Sequence, residues 1–149
     1  MNQHPYLRAY MAGIAFPTAF LLVGLTIFCI VRFVYRVPAP IEQLIIFPMA
    51  VVPNVFGAWN MLFVKLHQQW RIPIGLHGAA LPLFLAPIGA VFAIAMGFVR
   101  LSGGGLNYFG VLQVPYGYLI FAPFIGIAVY YLIWKYAVGF FNRILGVPA

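Results

Sequence analysis

Aspartate is missing from this chain altogether; serine occurs once, as Ser102, and the only acidic residue is Glu42. These shortages exclude function classes before any motif is sought. A Ser-His-Asp relay has no acid to orient its histidine, and paired carboxylates cannot be assembled from one glutamate. Cysteine also occurs once, as Cys29 within an apolar run. No disulfide can form within the chain, and the residue reads as a small hydrophobe. Charged residues make up 6% of the 149 positions, against roughly 25% in a soluble domain. An enzyme acting alone is not expected, and no catalytic residue or cofactor is assigned.

What the chain does have is apolar surface: 65% of its residues are hydrophobic and 18% aromatic. A core of this size cannot hide that much from water. The expected class is all-α, a polytopic integral membrane protein built as a four-transmembrane-helix bundle. It forms a single membrane domain over residues 1–149, with spans near 9–31, 41–66, 79–99 and 116–138. The first run is too long for a signal-peptide core and no small-residue cleavage site follows it, so it is read as a span that stays. Val37, Pro38, Ala39 and Pro40 form a stiff turn that cannot continue a helix. Tyr116, Tyr118, Tyr130, Tyr131, Trp134 and Tyr136 gather toward the ends of the fourth run, as aromatic belts do.

The net charge is +7. Its basic residues stand mostly at the ends of apolar runs, where they reach lipid phosphates. The expected partners are therefore the lipid bilayer and its anionic lipid headgroups, not nucleic acid. Arg8, Lys65, Arg71, Lys135 and Arg143 fall on one side and Arg32, Arg36 and Arg100 on the other. That excess predicts an inner or plasma membrane protein with both termini cytoplasmic; the bias is small enough to permit dual insertion.

The second run carries the most informative pattern. On a helix, Asn54, Gly57 and Asn60 share one side, with Gly57 in the middle, while Phe56, Trp59 and Phe63 fall on the other. Amides in hydrocarbon need partners, so the small polar side is expected to face the bundle, either as helix-packing glue or as the lining of a path, and Phe56, Trp59 and Phe63 to face lipid or a partner. Asn54-Val55-Phe56-Gly57 resembles the Asn-x-x-Gly pattern in the second helix of the dual-topology fluoride channels. The resemblance covers four residues. That family's Thr/Ser/Phe-rich broken third helix has no counterpart in residues 79–99, and no family is assigned.

Gly89, Ala93 and Gly97 form a small-residue ridge on the third span, a surface for close helix approach. His67 and His77 flank the polar connection at residues 67–78 and are weak candidates for a metal. No acidic or thiol ligand accompanies them, so no metal site is assigned. Residues 100–115 read as a loop, and Gly103, Gly104 and Gly105 lack the lysine and Ser/Thr of a phosphate cradle. Leu106, Tyr108, Phe109, Val111 and Leu112 are apolar enough for that loop to lie in the membrane interface or re-enter it. Coupled transport usually needs an ionisable group within the bilayer, whereas all Arg, Lys and Glu residues here fall at span ends.

Two functions remain. One is a non-catalytic accessory or assembly subunit that packs against a membrane-protein partner. The other is a passive channel or small-molecule carrier, formed as a homo-oligomer, with an Asn-lined path. The topology is directly testable: single cysteines at positions 3 and 146, in a Cys29→Ala background, are expected to be labelled only from the cytoplasmic side. Labelling from opposite sides would require an odd number of spans.

Overall fold

The computed structural model of the chain describes residues 4–37, 40–108, 110 and 112–149. Four helical segments are long and apolar enough to cross a membrane: Pro5–Phe33, Phe47–Trp70, Ile74–Ala95 and Tyr116–Ile144. At about 1.5 Å per residue even the shortest covers about 33 Å, enough for a hydrocarbon core of about 30 Å. The protein is a small four-span membrane protein of the helix-bundle class. Its chain falls into two compact units, Met1–Ile74 with Lys135–Ala149, and Gly75–Trp134.

In the first unit, helix α1 (Pro5–Phe33) runs beside α2 (Phe47–Trp70). Pro5 opens α1, where a missing N–H is harmless. A π-helical turn, Glu42–Ile46, leads into α2, and the Phe47 N–H bonds back to the Glu42 carbonyl. The wider turn lies just ahead of Pro48, whose ring cannot fit a regular turn or donate to it. Glu42 pairs with Arg32 at 2.8 Å across the connection between the helices. Its backbone N–H and the Arg32 guanidinium hold the Glu42 carboxyl below the usual carboxylate range. Helix α6 (Gly139–Ile144) packs on α1 in the same unit. The Pro38–Ala39 part of the expected turn lies outside the described residues.

The second unit holds α3 (Ile74–Ala95), a three-stranded antiparallel sheet, and the helices α4 (Tyr116–Leu119) and α5 (Ala122–Leu132). A π-helical stretch, Ile133–Val138, carries the chain on toward α6. Pro123 accounts for the break between α4 and α5, since it cannot donate to the carbonyl four residues back. Helix α3 ends in a Schellman cap: Gly97 has φ +73°, its N–H bonds Ile94 O at 3.0 Å, and the Phe98 N–H bonds Ala93 O at 2.8 Å.

The strands are β1 (Val99–Ser102), β2 (Gly105–Tyr108) and β3 (Leu112–Pro115), in a simple meander. The expectation of an irregular loop at residues 100–115 is corrected here. Gly103 and Gly104 form a two-residue hairpin turn between the paired Ser102 and Gly105. Ser102 fastens that turn: its hydroxyl donates to Gly105 O at 2.9 Å, and its own carbonyl accepts from Tyr116 Oη at 2.8 Å.

The polar connection at residues 67–78 also proves much shorter. Helix α2 continues to Trp70 and α3 begins at Ile74, leaving only Arg71, Ile72 and Pro73 outside a helix. Gly75 and Gly78, read from sequence as loop punctuation, lie one turn apart on α3. They are places of close approach. A Cβ at Gly75 would lie 2.7 Å from the Tyr131 ring, and one at Gly78 would overlap Cβ and Cγ of Trp134. Trp134 is fully buried and packs edge-on against His77, with ring centroids 5.9 Å apart.

Gly78→Ala is therefore expected to destabilise the protein by about 1–3 kcal/mol through overpacking. Gly126→Ala, where an added Cβ meets nothing within 4 Å, should be neutral. Unfolding of the two variants in mild detergent, followed by tryptophan fluorescence, checks the contrast.

Candidate functional site

In the first unit the polar chemistry converges on Asn60. Its Nδ2 donates to the Ala9 carbonyl at 2.7 Å and to Asn142 Oδ1 at 2.7 Å. Asn142 Nδ2 returns a bond to Asn60 Oδ1 at 3.2 Å and donates to Pro148 O at 2.8 Å. Both amides are fully buried and every one of their polar atoms is used. Arg8 Nη1 bonds Leu145 O at 3.1 Å beside them, while its Nε and Nη2 are shielded and have no acceptor among the described residues. The cluster ties α1, α2 and α6 together.

Small residues make this possible. Ala9, Ala12 and Gly13 are buried on α1. A Cβ at Gly13 would come within 2.6 Å of the Phe56 carbonyl, and one at Gly57 within 2.6 Å of the Tyr10 ring. The two helices touch backbone to backbone, which brings the Asn60 amide within reach of the Ala9 carbonyl.

The sequence-predicted residues divide accordingly. Gly57 and Asn60 lie in the packed interface. Asn54 is exposed; it accepts a hydrogen bond from the Tyr10 hydroxyl and donates to its own helix at Ala50 O, 2.8 Å away. The expectation that Phe56 and Phe63 face lipid or a partner needs correcting, because they are 3% and 0% exposed. At about 100° per residue, Asn60 is about 40° from Phe56 and about 60° from Gly57 and Phe63. The buried arc is thus centred on Asn60, and Asn54 falls outside it.

His67 and His77 belong to different units. His67 is in the last turn of α2, its Nδ1 3.0 Å from Ile72 O. His77 is buried in the other unit. Among the described residues no group of three His, Cys, Asp or Glu side chains is placed to hold a metal.

In the second unit the ridge residues lie apart from one another in role. Gly89 is exposed, and an added Cβ there would meet nothing within 4 Å. Gly97 is the α3 cap described above. Ala93 is half-buried and lines an open groove of about 460 Å³ with Ala86, Gly89, Ala90, Val99, Leu106, Tyr108 and Leu119. A second groove, of about 380 Å³, runs between Pro82, Leu83 and Pro87 on α3 and Ala122, Pro123 and Gly126 on α5. Ala86 and Leu119 line both, so they form one apolar cleft.

Sequence reasoning missed Asn142, Arg8, Gly13 and the cleft. Ala9 and Gly13 are a small pair at four-residue spacing, a signal that was available but submerged in a uniformly apolar run. Asn142 lies beyond the expected end of the fourth span, at residue 138, and carried no pattern of its own.

Asn60 and Asn142 are expected to behave as a coupled pair. Asn60→Leu or Asn142→Leu alone strands a buried amide and should cost about 1–3 kcal/mol. The double variant should cost less than the sum, by about 1 kcal/mol. A double-mutant cycle on detergent unfolding measures this; strict additivity would mean that the amides do not act together.

Comparison with protein families, with curated proteins and with solved structures finds no match for this chain.

Proposed function

We propose that the protein is a non-catalytic accessory or assembly subunit that receives a transmembrane helix of another membrane protein in the cleft beside α3. The observation that carries the reading is the open apolar cleft walled by Ala86, Gly89, Ala90 and Ala93. Small side chains let a second backbone come close, and close packing is what drives helix association where lipid removes the hydrophobic contribution. The outward side of α3 adds Phe84, Ile88 and Val91, all more than half exposed. The cytoplasmic placement of both termini, from the basic-residue count, belongs to the same proposal.

The conducting alternative draws less support. Asn60 spends its hydrogen-bonding capacity on Ala9 and Asn142, and Asn54 on Tyr10 and Ala50. The buried Asn60 amide has no donor left to replace a solute's water, and exposed Asn54 lies outside the buried arc of α2. The proposed role has no chemical step, in keeping with a chain that has one acid and one serine.

Purification from native membrane in mild detergent tests the proposal. The wild-type chain is expected to bring down one defined heterologous membrane protein in stoichiometric yield. Gly89→Leu should abolish that association while leaving the thermal stability of the isolated chain unchanged, and Val23→Ala on exposed α1 should do neither. Recovery of a self-oligomer alone, or association unaffected by Gly89→Leu, would overturn it.

A further inference from the structure

The meander between the third and fourth spans is two-faced. Paired residues across the strands share a side, and neighbours along a strand alternate. Val99 pairs with Tyr108 and Tyr108 with Leu112; Leu101 pairs with Leu106 and Leu106 with Val114. All six are apolar or aromatic and occupy one face. The rows between them hold Arg100, Asn107 and Gln113, and then Ser102, Gly105 and Pro115. Gln113 Nε2 reaches Ser102 Oγ at 3.3 Å, which places those two side chains together on the polar face.

The apolar face is larger than the chain itself covers. Val99, Leu106 and Tyr108 line the cleft, but Leu101 and Leu112 are 67% and 60% exposed. The sheet is also tied at both ends. Helix α3 finishes at Ala95, just ahead of Val99, and α4 starts at Tyr116 directly after Pro115. Both flanking helices belong to membrane-spanning segments, so these strands begin and end at the membrane boundary.

We infer that the meander is a membrane-interface platform, with its apolar face seated on the acyl region of a phospholipid leaflet and Arg100 bonded to a lipid phosphate. The alternatives fail on the same residues. Standing off in water would expose Leu101 and Leu112 together, and re-entering the bilayer would carry Arg100, Asn107 and Gln113 into hydrocarbon. Lying flat puts Leu101 and Leu112 in lipid and leaves the exposed Arg100 and Gln113 to water and headgroups. Arg100 is exposed on the polar face, and the described residues of the three strands include no acid to compete for it. A guanidinium fits a phosphate with paired, charge-assisted hydrogen bonds. Phe109 and Val111 fall outside the described residues and are not used. The inference rests on Leu101 and Leu112, which do not line the cleft, and not on Val99, Leu106 and Tyr108, which do.

The test uses the full chain with Cys29→Ala, reconstituted in vesicles of phosphatidylcholine and phosphatidylglycerol. Nitroxide labels are attached to Leu112→Cys or Gln113→Cys, adjacent positions on opposite faces. The ratio of oxygen to water-soluble nickel accessibility is expected to be several-fold higher at position 112 than at 113. Equal, water-like values at both would show that the sheet stands off the membrane; equal, lipid-like values would show re-entry. Adding Arg100→Glu should make the label at 112 more water-accessible, whereas Arg100→Lys should leave it in place. If Arg100→Glu leaves it unmoved while unfolding shows both variants equally stable, Arg100 does not anchor the sheet to phosphate.

Discussion

Two glycines facing each other across α1 and α2 set the distance on which the first unit depends. With a Cβ at Gly13 or Gly57, the backbone of α1 would have to withdraw from Phe56, or the Tyr10 ring from Gly57. The first shift would take Asn60 away from the Ala9 carbonyl, now 2.7 Å distant. In lipid the helices gain nothing by hiding apolar surface from one another, so contact distance and hydrogen bonding have to supply the association. Here the two are coupled: the close approach makes the bond, and Asn142 then extends it to α6 and the Pro148 carbonyl.

The second unit uses the same device at only one end of α3. Gly75 and Gly78 admit Tyr131 and Trp134 against the helix backbone. Further along, from Pro82 onward, the contact gives way to the open apolar cleft. The contrast gives the proposed role its physical content. One unit has spent its small residues and amides on itself, whereas the other leaves Ala86, Gly89 and Ala90 beside open space. A helix supplied by another chain would complete there what Gly13 and Gly57 complete internally.

Hydropathy made the four spans legible because length and apolar content are enough to identify a crossing helix. Ends were less legible. Gly75 and Gly78 have the composition of a turn, and only the Tyr131 and Trp134 rings, more than fifty residues later, explain them as helix positions. The face of α2 was read from polarity, which put Gly57 at its centre; packing put Asn60 there and drew Phe56 and Phe63 inward. The meander escaped notice because its strands are four residues each, too short for alternation to stand out. The Gly103-Gly104 hairpin signal was nevertheless present in the sequence.

The most direct measurement is site-specific photocrosslinking in native membrane, with a photoreactive side chain placed at Ala90, exposed on α3. A single adduct with one other membrane protein is predicted, with none formed when the same group replaces Val23, exposed on α1. Adducts of Ala90 with lipid alone, or with a second copy of this chain alone, would contradict the account.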